Sequence, residues 1–208
     1  MDNIYKIMLG LHIVSGFLAL LCGGVSLVVK KGGTLHRNSG KIFFYSMLGV
    51  SSTAIFISIV KNNQFLLLIG IFAFYLNYAG FRAVQNKSLN PSSLDWLMLA
   101  IAVANSFFMV YSLNMILMIF GGIGFYAAIQ NLRTNIMLLK KKKLPELAWL
   151  KMHIGMMMGA YISTATAFLV VNMNSFDFMN LPYWFIWLLP SFVLLPFSMY
   201  YTKKYTTK

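Results

Sequence analysis

Seven long apolar stretches constrain this chain more than any other feature: roughly 4–29, 42–60, 64–84, 94–111, 114–131, 147–171 and 183–201. About 20 apolar residues let a helix cross the hydrocarbon of a bilayer, where each backbone N–H and C=O must be satisfied within its own segment. The pattern therefore predicts an all-α, polytopic transmembrane bundle of seven spans, one membrane domain over 1–208. Composition agrees, since 10% of the residues are charged against about 25% in soluble domains. The fourth and fifth stretches hold no charge between Asp95 and Arg133. A single helix over 94–131 would be about 55 Å long, too long for a bilayer, so the turn-forming Tyr111-Ser112-Leu113-Asn114 divides them.

Charge tests that division. With seven spans, one side carries only Lys6 and Lys61. The other carries Lys30, Lys31, Arg37, Lys41, Arg82, Lys87, Arg133, Lys140 to Lys143, Lys151, Lys203, Lys204 and Lys208, which is 15 of the 17 basic residues. Merging two spans scrambles this asymmetry. The positive-inside rule then predicts an outside N-terminus and a cytoplasmic C-terminus, with the bacterial inner membrane as the expected location. The net charge of +13 reports orientation and does not point to nucleic acid. The first stretch reads as a retained span: Asp2 beside Lys6 makes no basic leader, and Leu21 before Cys22 is too large for a lipoprotein cleavage site.

Local signals place the ends. Pro145 and Glu146 suit the first turn of the sixth span, and Asn90 to Asp95 supplies a turn, a hydroxyl cap and a first-turn acid for the fourth. Gly155, Gly159, Ser163 and Ala167 form a small-residue stripe on the sixth span. Gly16, Ala19 and Gly23 on the first, and Gly121, Gly122 and Gly124 on the fifth, suit close helix packing as well. Trp149, Trp184 and Trp187 fall near span ends, as an interfacial belt requires. Met156-Met157-Met158 points three ways on a helix and reads as apolar filler.

Ionisable groups inside spans are costly and are functional candidates. His12 shares a helix side with Gly16, Ala19 and Gly23; His153 shares one with Met157, Ala160 and Thr164. Counting rise from the span ends puts the two about 9 Å apart along the normal, which disfavours one ligand shared by both. Two layers result. An outer-middle layer holds His12, Asn105, Tyr161 and Thr164. A cytoplasmic layer holds His153, His36 and Arg37 of the first loop, Tyr78, Arg82, Asp95, Gln130 and Arg133. That second layer offers Arg and Lys to an anionic headgroup, or His36 and His153 with a carboxylate such as Glu146 to a metal. Interfacial anchoring and interhelical hydrogen bonding explain the same residues without a ligand.

Several chemistries lack their residues. No lysine lies in the seventh span for a retinal Schiff base, and HExxH, HxxxH and GxSxG are absent. No carboxylate lies within a span, which counts against a proton- or sodium-coupled transporter and leaves a relay through His12 and Tyr161 open.

The segments His36-Arg37-Asn38-Ser39-Gly40 and Tyr78-Ala79-Gly80-Phe81-Arg82-Ala83, and above all the run Trp149 to Asn172 through His153, Met157, Gly159, Ala160, Tyr161 and Thr166, resemble an uncharacterised bacterial family of predicted seven-span membrane proteins. Trp187-Leu188-Leu189-Pro190 fits the last span of that family. The resemblance implies architecture and carries no activity, and by analogy it invites comparison with haem-binding cytochromes and membrane metal hydrolases. Three readings follow. The favoured one is a His-based haem- or zinc-binding redox or enzymatic membrane protein using His12, His36 or His153. The second is a binding or transport module for a small amphiphile or lipid, its headgroup held by the Arg/His cluster. The third is a structural subunit.

Overall fold

The computed structural model describes residues 2–173 and 182–206; Asp177 and Lys208 lie outside the described residues. Those residues form seven helices and no strand: α1 (Asp2–Val28), α2 (Thr34–Val60), α3 (Gln64–Gln85), α4 (Ser93–Tyr111), α5 (Met115–Leu139), α6 (Ala148–Asn172) and α7 (Tyr183–Thr206). Each is long and apolar enough to cross a membrane. The division between the fourth and fifth spans falls where the turn residues put it. Asn114 caps α5, its Oδ1 accepting from the N–H groups of Ile116 and Leu117.

Side-chain caps start two other helices, α3 and α4. Ser92 and Asp95 form a reciprocal capping box at α4, and Asn63 accepts from Leu66 N–H at α3. The expectation for the sixth span needs correction. Leu147 takes a left-handed conformation (φ 57°), so Pro145 and Glu146 sit in a turn before the helix and not in its first turn. A second correction concerns the first link, which is only residues 29–33. Gly32 supplies the positive φ it needs, at 75°. Helix α2 therefore begins at Thr34, eight residues before the apolar stretch does, and His36, Arg37 and Lys41 ride on its first turns. Likewise α5 continues past the apolar stretch through Arg133 to Leu139.

Short links make sequential helices antiparallel, which the cross-contacts bear out. Ser26 meets Ser39, His12 meets Thr53, Arg82 meets Asp95 and Asn105 reaches Leu68. One end of the bundle thus gathers the C-terminal ends of α1, α3, α5 and α7 with the N-terminal ends of α2, α4 and α6, and with them nearly all the basic residues. Helix α3 is central, packing on α2, α4 and α6. Half of its apolar window is buried against 11% for α1, which leaves most of α1 to face lipid.

Between helices without a hydrophobic driving force, close approach does the work. A Cβ on Gly80 would lie 2.7 Å from Met157 Sδ, and one on Gly121 2.9 Å from Met109 Cβ. The sixth-span small-residue stripe does not act as one seam. Gly159 packs on Leu76, but Gly155 faces open space and Ala167 is exposed. The buried face of α6 runs through Met156, Ala160 and Thr164, one residue round the helix. Trp187 is also corrected: it is buried against Phe65, Phe120 and Tyr183, leaving Trp184 to face outward on α7.

Candidate functional site

At the basic end, α1, α2, α3, α6 and α7 border an open cavity of about 550 Å³. Its walls are largely apolar, with Leu27, Phe43, Phe81, Ile154 and Met157 among them. Its polar lining is one-sided. Lys31, Arg37, Lys41 and Lys87 contribute to it together with His36 and His153, and among the described residues no Asp or Glu does. Arg37, Lys41 and Lys87 are exposed and Lys31 is half-buried, so the cations form an accessible rim beside the apolar wall.

Each cation has a structural reason for its place. Arg37 and Lys41 are four residues apart on α2 and therefore share a face. Lys31 folds back over the end of α1, donating to the carbonyls of Ser26 (3.0 Å) and Leu27, where the helix dipole favours a cation. Burial pushes its ammonium below the usual lysine value. Its Nζ also stands 4.4 Å from the centre of the Tyr201 ring, and Tyr201 donates to Leu27 O, fastening the end of α7 to that of α1. Lys87 lies over Trp149 at 4.9 Å.

The two histidines are oriented by backbone. His36 Nδ1 is 3.1 Å from Ser26 O and His153 Nδ1 is 2.9 Å from Gly80 O. Gly80 allows that second bond by letting α6 lie against α3. Tyr161 completes the wall, its ring edge-on to Phe43 and filling the space beside Gly23.

Of the residues predicted from sequence, the cavity thus unites His36, Arg37, His153 and Tyr161. The others are elsewhere. Arg82 belongs to a separate cluster, its Nε and Nη2 donating to Asp95 at 3.0 and 3.1 Å while Tyr78 donates to Asp95 at 2.7 Å. These three border a cavity of about 40 Å³ that Asn131, Thr134 and Asn135 also line. His12 Nδ1 lies within 3.1 Å of Val50 O and 3.0 Å of Thr53 Oγ1, an α1–α2 link away from either cavity. Asn105 donates to Leu68 O, and Thr164 to Ala160 O and Met47 Sδ. The expected outer-middle layer is therefore not a shared site. Tyr161 stands by Gly23, 11 residues and about 16 Å along α1 from His12.

Sequence reasoning passed over Lys31, Lys41, Lys87, Trp149, Tyr201 and Tyr205, all of which line the cavity. The i, i+4 spacings of Arg37 with Lys41 and of Tyr201 with Tyr205 were the available signals. For a metal, no three His, Cys, Asp or Glu side chains come together among the described residues.

The seven helices make the chain a multi-pass integral membrane protein. No protein-family model matches it, and neither does any curated protein or solved structure. Its chemistry rests on its own residues.

Proposed function

We propose that the chain binds an anionic amphiphile in the cavity at its basic end. The observation that carries this reading is the lining: four cationic side chains and two imidazoles, no carboxylate among the described residues, and an apolar wall behind them. Ligand pockets of a few hundred cubic ångströms with a few convergent polar groups commonly hold small molecules. The cationic rim selects an oxyanion through charge-assisted hydrogen bonds. The aromatic and aliphatic wall takes a chain or ring. A zwitterionic headgroup brings a cation that meets no acid.

Ligand-dependent melting in a nonionic detergent tests this. Lysophosphatidic acid raises the Tm of the wild type, and lysophosphatidylcholine of the same chain leaves it near the unliganded value. A ligand at about 100 times its Kd adds about 2.7 kcal/mol. The Arg37→Gln/Lys41→Gln variant loses most of the shift. Equal shifts from the two lipids would overturn the reading.

A second reading draws on one observation. Histidines that ligate iron or zinc usually donate their other ring nitrogen to a carbonyl or carboxylate, and His36 and His153 both do so. Haem, with anionic propionates for the rim, suits that arrangement better than zinc, whose third protein ligand is missing among the described residues. A Soret band in protein purified from haem-replete membranes supports it, and its loss in His36→Ala or His153→Ala assigns the axial ligand.

A further inference from the structure

The histidines say more about the headgroup than the cations do. A carbonyl oxygen only accepts, so the Nδ1 of His36 must donate to Ser26 O and that of His153 to Gly80 O. In the neutral ring this fixes the proton on Nδ1 and makes Nε2 a hydrogen-bond acceptor. Neither Nε2 has a protein partner among the described residues, and both rings line the cavity. The site thus combines two kinds of demand. The ammonium and guanidinium groups of Arg37, Lys41 and Lys87 ask for an acceptor, while the two imidazole nitrogens ask for a donor.

An oxyanion alone meets only the first demand. Carboxylates and fully ionised phosphates carry lone pairs and no proton, so against Nε2 they set acceptor to acceptor. A phosphodiester whose headgroup bears hydroxyls meets both. Resting on the anionic-amphiphile reading above, we infer that the ligand is a lipid with a hydroxyl-bearing phosphodiester headgroup of the glycerol type. Its phosphate lies on Arg37, Lys41 and Lys87, and its hydroxyls donate to His36 Nε2 and His153 Nε2. The apolar wall of Phe43, Phe81, Ile154 and Met157 receives the acyl chain.

Competition in nanodiscs, read by native mass spectrometry, tests the assignment. The probes are phosphatidylglycerol, phosphatidylmethanol and phosphatidylcholine with identical chains; the first two carry the same single negative charge and differ in hydroxyls. The wild type retains phosphatidylglycerol over phosphatidylmethanol by roughly tenfold, the size of one or two net hydrogen bonds. His36→Phe and His153→Phe each lower that ratio, and the double variant brings it near one while the preference over phosphatidylcholine survives. Soluble glycerol phosphate displaces no lipid, which separates a lipid headgroup from a free phosphate ester. Equal retention of phosphatidylglycerol and phosphatidylmethanol by the wild type overturns the hydroxyl assignment and leaves the anionic reading standing. Equal retention of all three overturns both. The wild-type comparison alone decides the matter if a histidine variant fails to fold.

Discussion

Asp95 shows how one side chain ties two helices together and caps one of them. It accepts from Arg82 and Tyr78 of α3 and closes the α4 capping box through Ser92 N–H and Oγ, each at 2.8 Å. Its side chain is 16% exposed and that of Arg82 33%, so the pair is partly screened and is worth less than a fully buried one. Replacing the carboxylate still leaves Arg82, Tyr78 and an N-cap short of an acceptor at once. Asp95→Asn is expected to lower the unfolding free energy by about 1–3 kcal/mol, and Tyr78→Phe, which removes a single donor, by about 0.5–1.5 kcal/mol. Unfolding midpoints in detergent check the order, and a Tyr78→Phe cost exceeding that of Asp95→Asn would contradict it. Because this cluster borders the small cavity and not the large one, anionic-lipid retention stays at the wild-type level in both variants.

At the scale of elements, α1 is the least buried of the seven helices and is held chiefly by α2. Its polar attachments to α2 are His12 to Val50 and Thr53 near one end, and Ser26 to Ser39 and to His36 near the other. Interhelical hydrogen bonds in membranes average about 0.6 kcal/mol with a maximum near 1.7. His12→Ala is therefore expected to cost about 0.6–1.7 kcal/mol of stability and to leave ligand binding intact, whereas His153→Ala alters binding; thermal unfolding and lipid retention measured side by side distinguish the two. The sequence made both histidines suspects for the same reason, that an imidazole in a span is expensive. It could not separate them, because helix periodicity gives a face and leaves open which neighbour occupies it. The helices themselves were legible, since length and hydropathy are local properties. Their polar ends were not: α2 gained eight residues and α5 the turn around Arg133, because a helix leaving the hydrocarbon keeps its hydrogen bonds after its side chains turn polar. Arg82 was placed in the headgroup cluster on depth alone. Its pairing with Asp95 depends on how α3 and α4 rotate about their axes, which depth does not contain. The cavity was out of reach for a similar reason, since α1, α2, α3, α6 and α7 build it from positions up to 182 residues apart, Gly23 to Tyr205.

For the whole molecule, charge and site converge on one face. The helix ends that carry the lysines and arginines are the ends that border the cavity, so whatever fixes the orientation also decides which leaflet the cavity samples. The positive-inside rule predicts a cytoplasmic place for that face, and the cytoplasmic leaflet is where anionic lipid makes the surface potential negative and draws basic groups toward it. The expected orientation and the proposed ligand are physically consistent: an anionic amphiphile would be concentrated where the cavity opens. Single cysteines in a Cys22→Ser background test the orientation directly. Asn62, in the link between α2 and α3, and Lys142, in the link between α5 and α6, lie at opposite ends of the bundle. With a membrane-impermeant maleimide on intact cells, Asn62→Cys is expected to label at once and Lys142→Cys only after permeabilisation. The reverse pattern would turn the bundle over and place outside the 14 basic residues that the described part of the chain carries at this end, from Lys30 to Lys204. It would also move the cavity to the outer leaflet, where the lipid competition, performed on isolated protein, keeps its outcome while the supply of ligand changes. Labelling and competition therefore report independently, one on the side from which the ligand comes and the other on its chemistry.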